Sequence, residues 1–149
     1  MQSIASEYFN LLSHKKEVHR RVAINPITFD VTVLDSQDRR IRKQELSAGE
    51  KQVYAVSMLW ALAKVSGRPL PMIIDTPLAR LDCDHRALLS QHYFPEASHQ
   101  ILILSTDTEV ETRQFELLRP SVARAYELRF LPEHNRTEIV PGYFGGVVN

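Results

Sequence analysis

The chain has 149 residues, 44% of them hydrophobic, with 18 basic and 18 acidic side chains. That length suits one domain with a real core and not two comfortable ones, and the balanced charge gives no net electrostatic reason for this piece alone to bind nucleic acid. A single cysteine, Cys83, excludes an internal disulfide framework and fits a reducing cytoplasm; no apolar run reaches the roughly 20 residues that span a bilayer, and no secretory pattern opens the chain, so a soluble cytoplasmic domain without a membrane partner is expected.

Residues 2–19 read as a helix, with Ile4, Leu11 and Val18 at heptad spacing and Tyr8, Leu12 and Lys15 on the flanks. An isolated helix this short is marginal, so residues 1–20 are expected to be the end of a longer coiled-coil helix, and the chain to begin partway through a protein. Residues 21–149 then form the globular part. Ile27, Phe29, Val31 and Val33 alternate with Thr28, Asp30, Thr32 and Leu34, the period of a half-buried strand. Asp35-Ser36-Gln37-Asp38 supplies turn chemistry, and residues 39–43 return as a polar strand.

The strongest helix signal is 50–66, apolar nearly all round and therefore expected to be buried, with Gly67 placed to end it. Met72 to Asp75 and Ile101 to Ser105 are short continuous apolar runs, the pattern of parallel strands covered on both faces. Residues 84–92 between them read as a crossover helix, which makes an α/β unit. A further helix is expected over 108–118, with Thr108 and Glu111 in capping-box positions. Residues 123–130 and 136–144 suggest two strands joined around Pro132 to Asn135.

Two segments carry chemistry. Ser47 precedes the long helix with Glu50 three residues on, which reads as a plain capping box. The same geometry can receive a phosphate, because a helix start offers partial positive charge and unpaired N–H donors. Ser47 adds a hydroxyl donor, and Gly49 permits close backbone approach. Asp75 closes an apolar strand at the edge where open α/β sheets bind ligands. A carboxylate there suits Mg²⁺, which is usually held through one or two carboxylates, waters and nucleotide phosphates; it also reads as a simple turn cap. Asp82, or Asp84, reads as the cap of the next helix.

Taken in order, Leu46-Ser47-Ala48-Gly49-Glu50-Lys51-Gln52, a buried helix, Pro71-Met72-Ile73-Ile74-Asp75, Leu81-Asp82 and the strand Ile101-Leu102-Ile103-Leu104-Ser105 resemble the signature, Walker B strand, D-loop and following strand of an ABC-type ATPase head of the SMC-like branch. The resemblance covers nearly the whole chain. It implies an α/β fold, the C-terminal half of an ABC-type (P-loop NTPase) head, with a mostly parallel sheet flanked by helices and a short coiled-coil end at the N-terminus. More narrowly, Leu59-Trp60-Ala61-Leu62-Ala63-Lys64, Gly67-Arg68-Pro69-Leu70-Pro71, Ile74-Asp75-Thr76-Pro77-Leu78 and Leu104-Ser105-Thr106-Asp107-Thr108 resemble the DndD family, SMC-like ATPases of bacterial DNA sulfur modification (phosphorothioation).

The resemblance implies roles for individual residues. Ser47 and Gly49 would contact the γ-phosphate of an ATP held by an opposite head, with Ala48 and Glu50 as the other cofactor-binding residues of the signature and Asp82 at the interface near the partner's phosphate loop. Asp75 would help hold Mg²⁺. The partners implied are an N-terminal Walker A lobe in the same parent chain or a companion chain, a second head as a homodimer, DNA through the full assembly, and other DNA sulfur-modification proteins. Thr76 stands where such ATPases carry a catalytic glutamate, and Thr106 where they carry a histidine. A threonine hydroxyl is too weak a base to activate water near neutral pH. This makes two readings: an ATPase active only with its Walker A lobe and paired heads, or an ATP-gated DNA clamp or scaffold with negligible hydrolysis. Asp107 or Glu109 is the substitute carboxylate to consider, although both read first as helix-capping charges.

Remaining candidates point elsewhere. Cys83 and His85 lack a second pair for zinc and a third group for nucleophilic catalysis. Trp60 and Tyr54 read as core. The basic cluster Arg39, Arg40, Arg42 and Lys43 reads as a solvated strand edge before a DNA contact.

Overall fold

The computed structural model describes residues 1–13, 20–68 and 70–143. Helix α1 (Gln2–Leu12) is followed by an antiparallel sheet of β1 (Arg21–Ile24), β2 (Val31–Leu34) and β3 (Arg40–Ile41). The long helix α2 (Ala48–Ser66) comes next, then the parallel pair β4 (Met72–Asp75) and β5 (Ile101–Leu104). The crossover between them is one continuous helical run. It consists of α3 (Cys83–Leu88), a π-helical turn over Leu89–Tyr93 and α4 (Phe94–Glu96). Helix α5 (Thr112–Leu118) precedes a hairpin of β6 (Tyr126–Leu131) and β7 (Arg136–Pro141). No described helix is long and apolar enough to cross a membrane.

An amphipathic α1 lies between α2 and the first sheet. Ala5, Phe9 and Leu12 are its buried residues. Phe9 meets Tyr54 edge-on, and Tyr8 stacks on Trp60 with ring centroids 3.8 Å apart. The polar side of α1 feeds the edge of β1. Ile24 N–H donates to Gln2 Oε1 (3.0 Å), Val22 N–H to Ser6 Oγ (2.8 Å) and Arg20 N–H to Asn10 Oδ1 (2.9 Å). Residues four apart on a helix thus serve residues two apart on a strand, and no edge donor of β1 at these positions is left open. The heptad reading put Leu11 in the seam. Leu11 is instead exposed, because a helix docked on one sheet and one helix buries the Ala5-Phe9-Leu12 stripe. Ser13, in extended conformation, ends α1; the remainder of the expected span, 14–19, with Lys15 and Val18, lies outside the described residues.

Alternation across 27–34 suggested one strand, but only 31–34 is strand. Asn25 Oδ1 accepts the N–H groups of Ile27 (2.8 Å) and Thr28 (3.1 Å), a side-chain turn that outcompetes the ladder and leaves Ile27 and Phe29 exposed. The turn at 35–38 forms as expected, Asp38 adopting positive φ, but the return strand expected over 39–43 is only Arg40–Ile41, because a 3-10 turn begins at Lys43. The sheet was expected to be mostly parallel. Among the described ladders only β4–β5 is parallel, since links this short join strands only antiparallel.

Helix α2 begins and ends where local chemistry places it, with Ser47 as its cap and Gly67 at φ 62°. Val53, Ser57, Trp60 and Ala61 are buried. The expectation of burial all round does not hold, because α1 and the crossover cover one side and Leu59, Leu62 and Val65 stay exposed. The parallel pair behaves likewise. Met72, Ile74, Ile101 and Ile103 pack on the core, while Ile73, Leu102 and Leu104 on the other face are exposed, Ile73 at 71%. A bare apolar sheet face of this kind marks an interaction surface.

Candidate functional site

The start of α2 carries the first group of predicted residues. Ser47 Oγ accepts the Glu50 N–H at 3.2 Å while Glu50 Oε2 accepts the Ser47 N–H at 2.9 Å, a complete reciprocal capping box. The amides of Ala48 and Gly49, first in the helix, have no acceptor within it. Ser47 and Ala48 are exposed and Gly49 is half-buried, so this helix start is open to solvent. Gly49 is helical. A Cβ built there would sit 3.7 Å from Arg80 O and from Leu81 Cδ2, ordinary contact. Nothing among the described residues demands glycine at that position.

Glu50 differs from its neighbours, for its carboxylate is committed internally. Besides closing the cap it accepts from Arg20 Nη2 at 2.7 Å, and both side chains are nearly buried. Burial alone would raise the Glu50 carboxyl; the Ser47 N–H and the Arg20 guanidinium override it and hold it at about 2, well below its ordinary 4.5. A depressed folded-state pKa adds stability above the ordinary value and loses it as pH falls toward the folded one. Glu50→Gln is therefore expected to lower stability at pH 7 by on the order of 2 kcal/mol, a gap that closes between roughly pH 4.5 and 2 in denaturant titrations. A gap independent of pH would remove the Arg20–Glu50 pair from this account.

Asp75 ends β4 opposite Leu104 on β5. It alternates onto the same face as Ile73, the face that nothing in the described chain covers. Thr76 follows with φ 47°, the left-handed region that a β-branched residue rarely adopts. Its N–H donates to Leu104 O at 2.9 Å, extending the parallel ladder one step past the strand. Pro77 O accepts from Gln52 Nε2, on α2, and the Leu78 N–H donates to Glu109 Oε1. Asp82 closes the loop as the cap of α3, accepting the His85 N–H at 2.9 Å and meeting His85 Nδ1 at 2.8 Å. Burial would raise the Asp82 carboxyl, but these His85 contacts lower it on balance.

Contacts through residues 76–81 link the two groups of predicted residues in a clear order. Gln52 and Gly49 bring the head of α2 against residues 77–81, and the Thr76 amide ties those residues to the end of β5. Thr106 is exposed there, its Oγ1 3.3 Å from that of Thr108, and its carbonyl accepts the Glu109 N–H at 3.3 Å. Helix α5 starts at Thr112, not 108. Glu111 rather than Thr108 takes the cap position, and no side chain caps it. Residues 107–110 form a turn that buries Glu109, which replaces the expected surface capping charge at that position. Sequence reasoning gave no role to Arg20, Gln52 or Arg86, and set Glu109 behind a capping role. Each has a partner 23 to 31 positions away in the chain, outside any local pattern. Among the described residues no group of three or more His, Cys, Asp or Glu side chains is gathered to hold a metal. Two basic residues of the 39–43 cluster are paired, Arg39 with Asp35 and Arg42 with Glu45.

No protein-family model matches the chain, and no curated protein matches it. Solved structures match its fold. An SMC ATPase studied for ATP-driven dimerization and DNA-stimulated activation aligns with TM-score 0.69 at 16% identity, covering 95% of this chain and 83% of that one. The Smc head domain of Pyrococcus furiosus, with an extended coiled coil and bound to the C-terminal domain of ScpA, gives 0.68 at 16% identity over 94% of this chain and 34% of that one. The SMC head domain of Thermotoga maritima gives 0.61 at 14% identity, over 95% and 47%. The chain therefore spans under half the length of the latter two. At these identities the likeness establishes the fold alone: α/β, like that of the SMC ATPase head domains.

Proposed function

We propose that this chain is the signature-bearing C-terminal lobe of an SMC-like ATPase head, which meets ATP and Mg²⁺ only together with a Walker A lobe and a second head. One observation carries the reading. Asp75 lies on the open face of β4–β5, beside exposed Ile73, Leu102 and Leu104. A second lobe that covers this apolar face brings its phosphate loop to that carboxylate in the same act. Among the described residues the donor set fits Mg²⁺ held by one protein carboxylate with phosphates and waters rather than an all-protein cage. The start of α2 is open to solvent at Ser47 and Ala48, and its hydroxyl and first amides suit a γ-phosphate presented by an opposite head. Glu50, tied to Arg20, shapes that start and does not itself meet phosphate. Asp82 caps α3 and stands beside the head-to-head interface.

The finer assignment, a role in DNA sulfur modification with DNA and the other modification proteins as partners, rests on the wording of residues 74–78 and 104–108. A second reading, an ATP-gated clamp with negligible hydrolysis, is favoured by Thr76, whose hydroxyl supplies no general base. Cytoplasmic residence accompanies either reading.

The test is Mg²⁺-dependent ATP turnover. The chain alone is expected to be inactive, because phosphoryl transfer depends on positioning and charge stabilisation that the Walker A lobe supplies. Joined to that lobe it is expected to turn over ATP and to respond to DNA. Neither turnover nor ATP-driven head pairing in the joined protein would end the proposal; pairing without turnover would select the clamp.

A further inference from the structure

Glu109 sits in the turn after β5 at 3% exposure. Its Oε1 accepts the N–H of Leu78, 31 positions earlier, and its Oε2 has no hydrogen-bond partner among the described residues. Leu78 is fully buried, so its amide has no water to turn to if that acceptor is lost. Thr76 is held at positive φ and Pro77 has no N–H to give. Gln52 grips the carbonyl of Pro77. Arg86 spans the far side, donating from Nε to Leu81 O and from Nη1 to Glu109 O, both at 3.0 Å. Three side chains therefore clamp residues 77–81, with Asp75 just before the clamp and Asp82 just after it.

We propose that Glu109 is a positioning residue whose carboxylate fixes the Leu78 peptide and thereby holds Asp75 and Asp82 in their working relation. It touches neither nucleotide nor attacking water. Its burial against Leu78 favours this role over that of a substitute base, which must reach the water it activates. The catalytic consequence rests on the ATPase reading above; the latch itself does not.

Two variants and two readouts test it. Glu109→Gln keeps an acceptor oxygen for Leu78, and Glu109→Ala removes it. Amide hydrogen exchange at Leu78, measured on this chain without nucleotide, is expected to stay slow in Glu109→Gln and to speed about tenfold or more in Glu109→Ala. In the protein joined to its Walker A lobe, Glu109→Ala is expected to lower kcat about tenfold or more with KM within about twofold, and Glu109→Gln to restore it. Unchanged exchange in Glu109→Ala overturns the latch. Faster exchange with unchanged kcat overturns its catalytic consequence. If Glu109→Gln loses kcat as fully as Glu109→Ala while Leu78 stays protected, the charge itself acts and Glu109 is a base instead. A joined wild-type protein with no turnover, but with the expected exchange pattern, supports the latch while counting against the ATPase reading.

Discussion

A Ser47→Arg variant of the joined protein is expected to lose ATP-driven head pairing and to turn over ATP about 100-fold more slowly, the scale of losing an aimed donor to a charged oxygen. The substitution also removes the Oγ that accepts the Glu50 N–H, and losing such a cap costs about 1 kcal/mol. Ser47→Asp separates the two effects. Aspartate caps a helix as well as serine does, but sets a negative charge where the proposed phosphate arrives. Its melting temperature should match the wild type while pairing, followed by size-exclusion chromatography with ATP, disappears. Normal pairing by Ser47→Asp would mean that the head of α2 meets no phosphate, leaving Ser47 a helix cap and nothing more.

Thr76→Glu is the opposite experiment, a predicted gain. If slow hydrolysis follows from the missing acid, placing a carboxylate after Asp75 should raise turnover about 100-fold, the lower range for a positioned general base. The backbone permits the change. Thr76 already occupies φ 47°, and an unbranched side chain bears that conformation with less crowding than threonine does. Thr76→Gly serves as control, expected to stabilise by about 1 kcal/mol through relief of strain without raising turnover. An unmoved rate in Thr76→Glu would locate the base elsewhere and remove the missing glutamate as the cause of slow hydrolysis.

Strain at Thr76 gives the departure from the expected glutamate a structural context. Residues 76–78 are over-determined from outside: β5 holds the Thr76 amide, α2 the Pro77 carbonyl, and the turn after β5 the Leu78 amide. That is the condition under which an unfavourable φ persists. The head of α2 is braced in a comparable way, its Glu50 tied to Arg20 at the entry to β1. Neither brace involves a residue that the proposed chemistry consumes.

Local hydrogen bonding was readable from residue order alone. Ser47 with Glu50, Gly67 at the far end of α2, the turn at 35–38 and the hairpin around Pro132 to Asn135 all depend on partners within a few positions, and each formed as its residues imply. The order of the elements with which Asp75 and Asp82 are associated was equally legible, because apolar runs and caps mark strands and helix starts directly. Period alone fails where a nearby side chain competes for the backbone, as Asn25 does in drawing Ile27 and Thr28 into a turn. Tertiary structure alone decided which apolar faces find cover. The continuous runs of β4 and β5 state what can be buried, yet Ile73 and Leu102 remain bare because burial needs a neighbour the described chain does not supply. It also decided the fate of Glu109. Nothing within four residues of that side chain forecasts Leu78, since a long-range hydrogen bond exists only after packing has brought its two ends together.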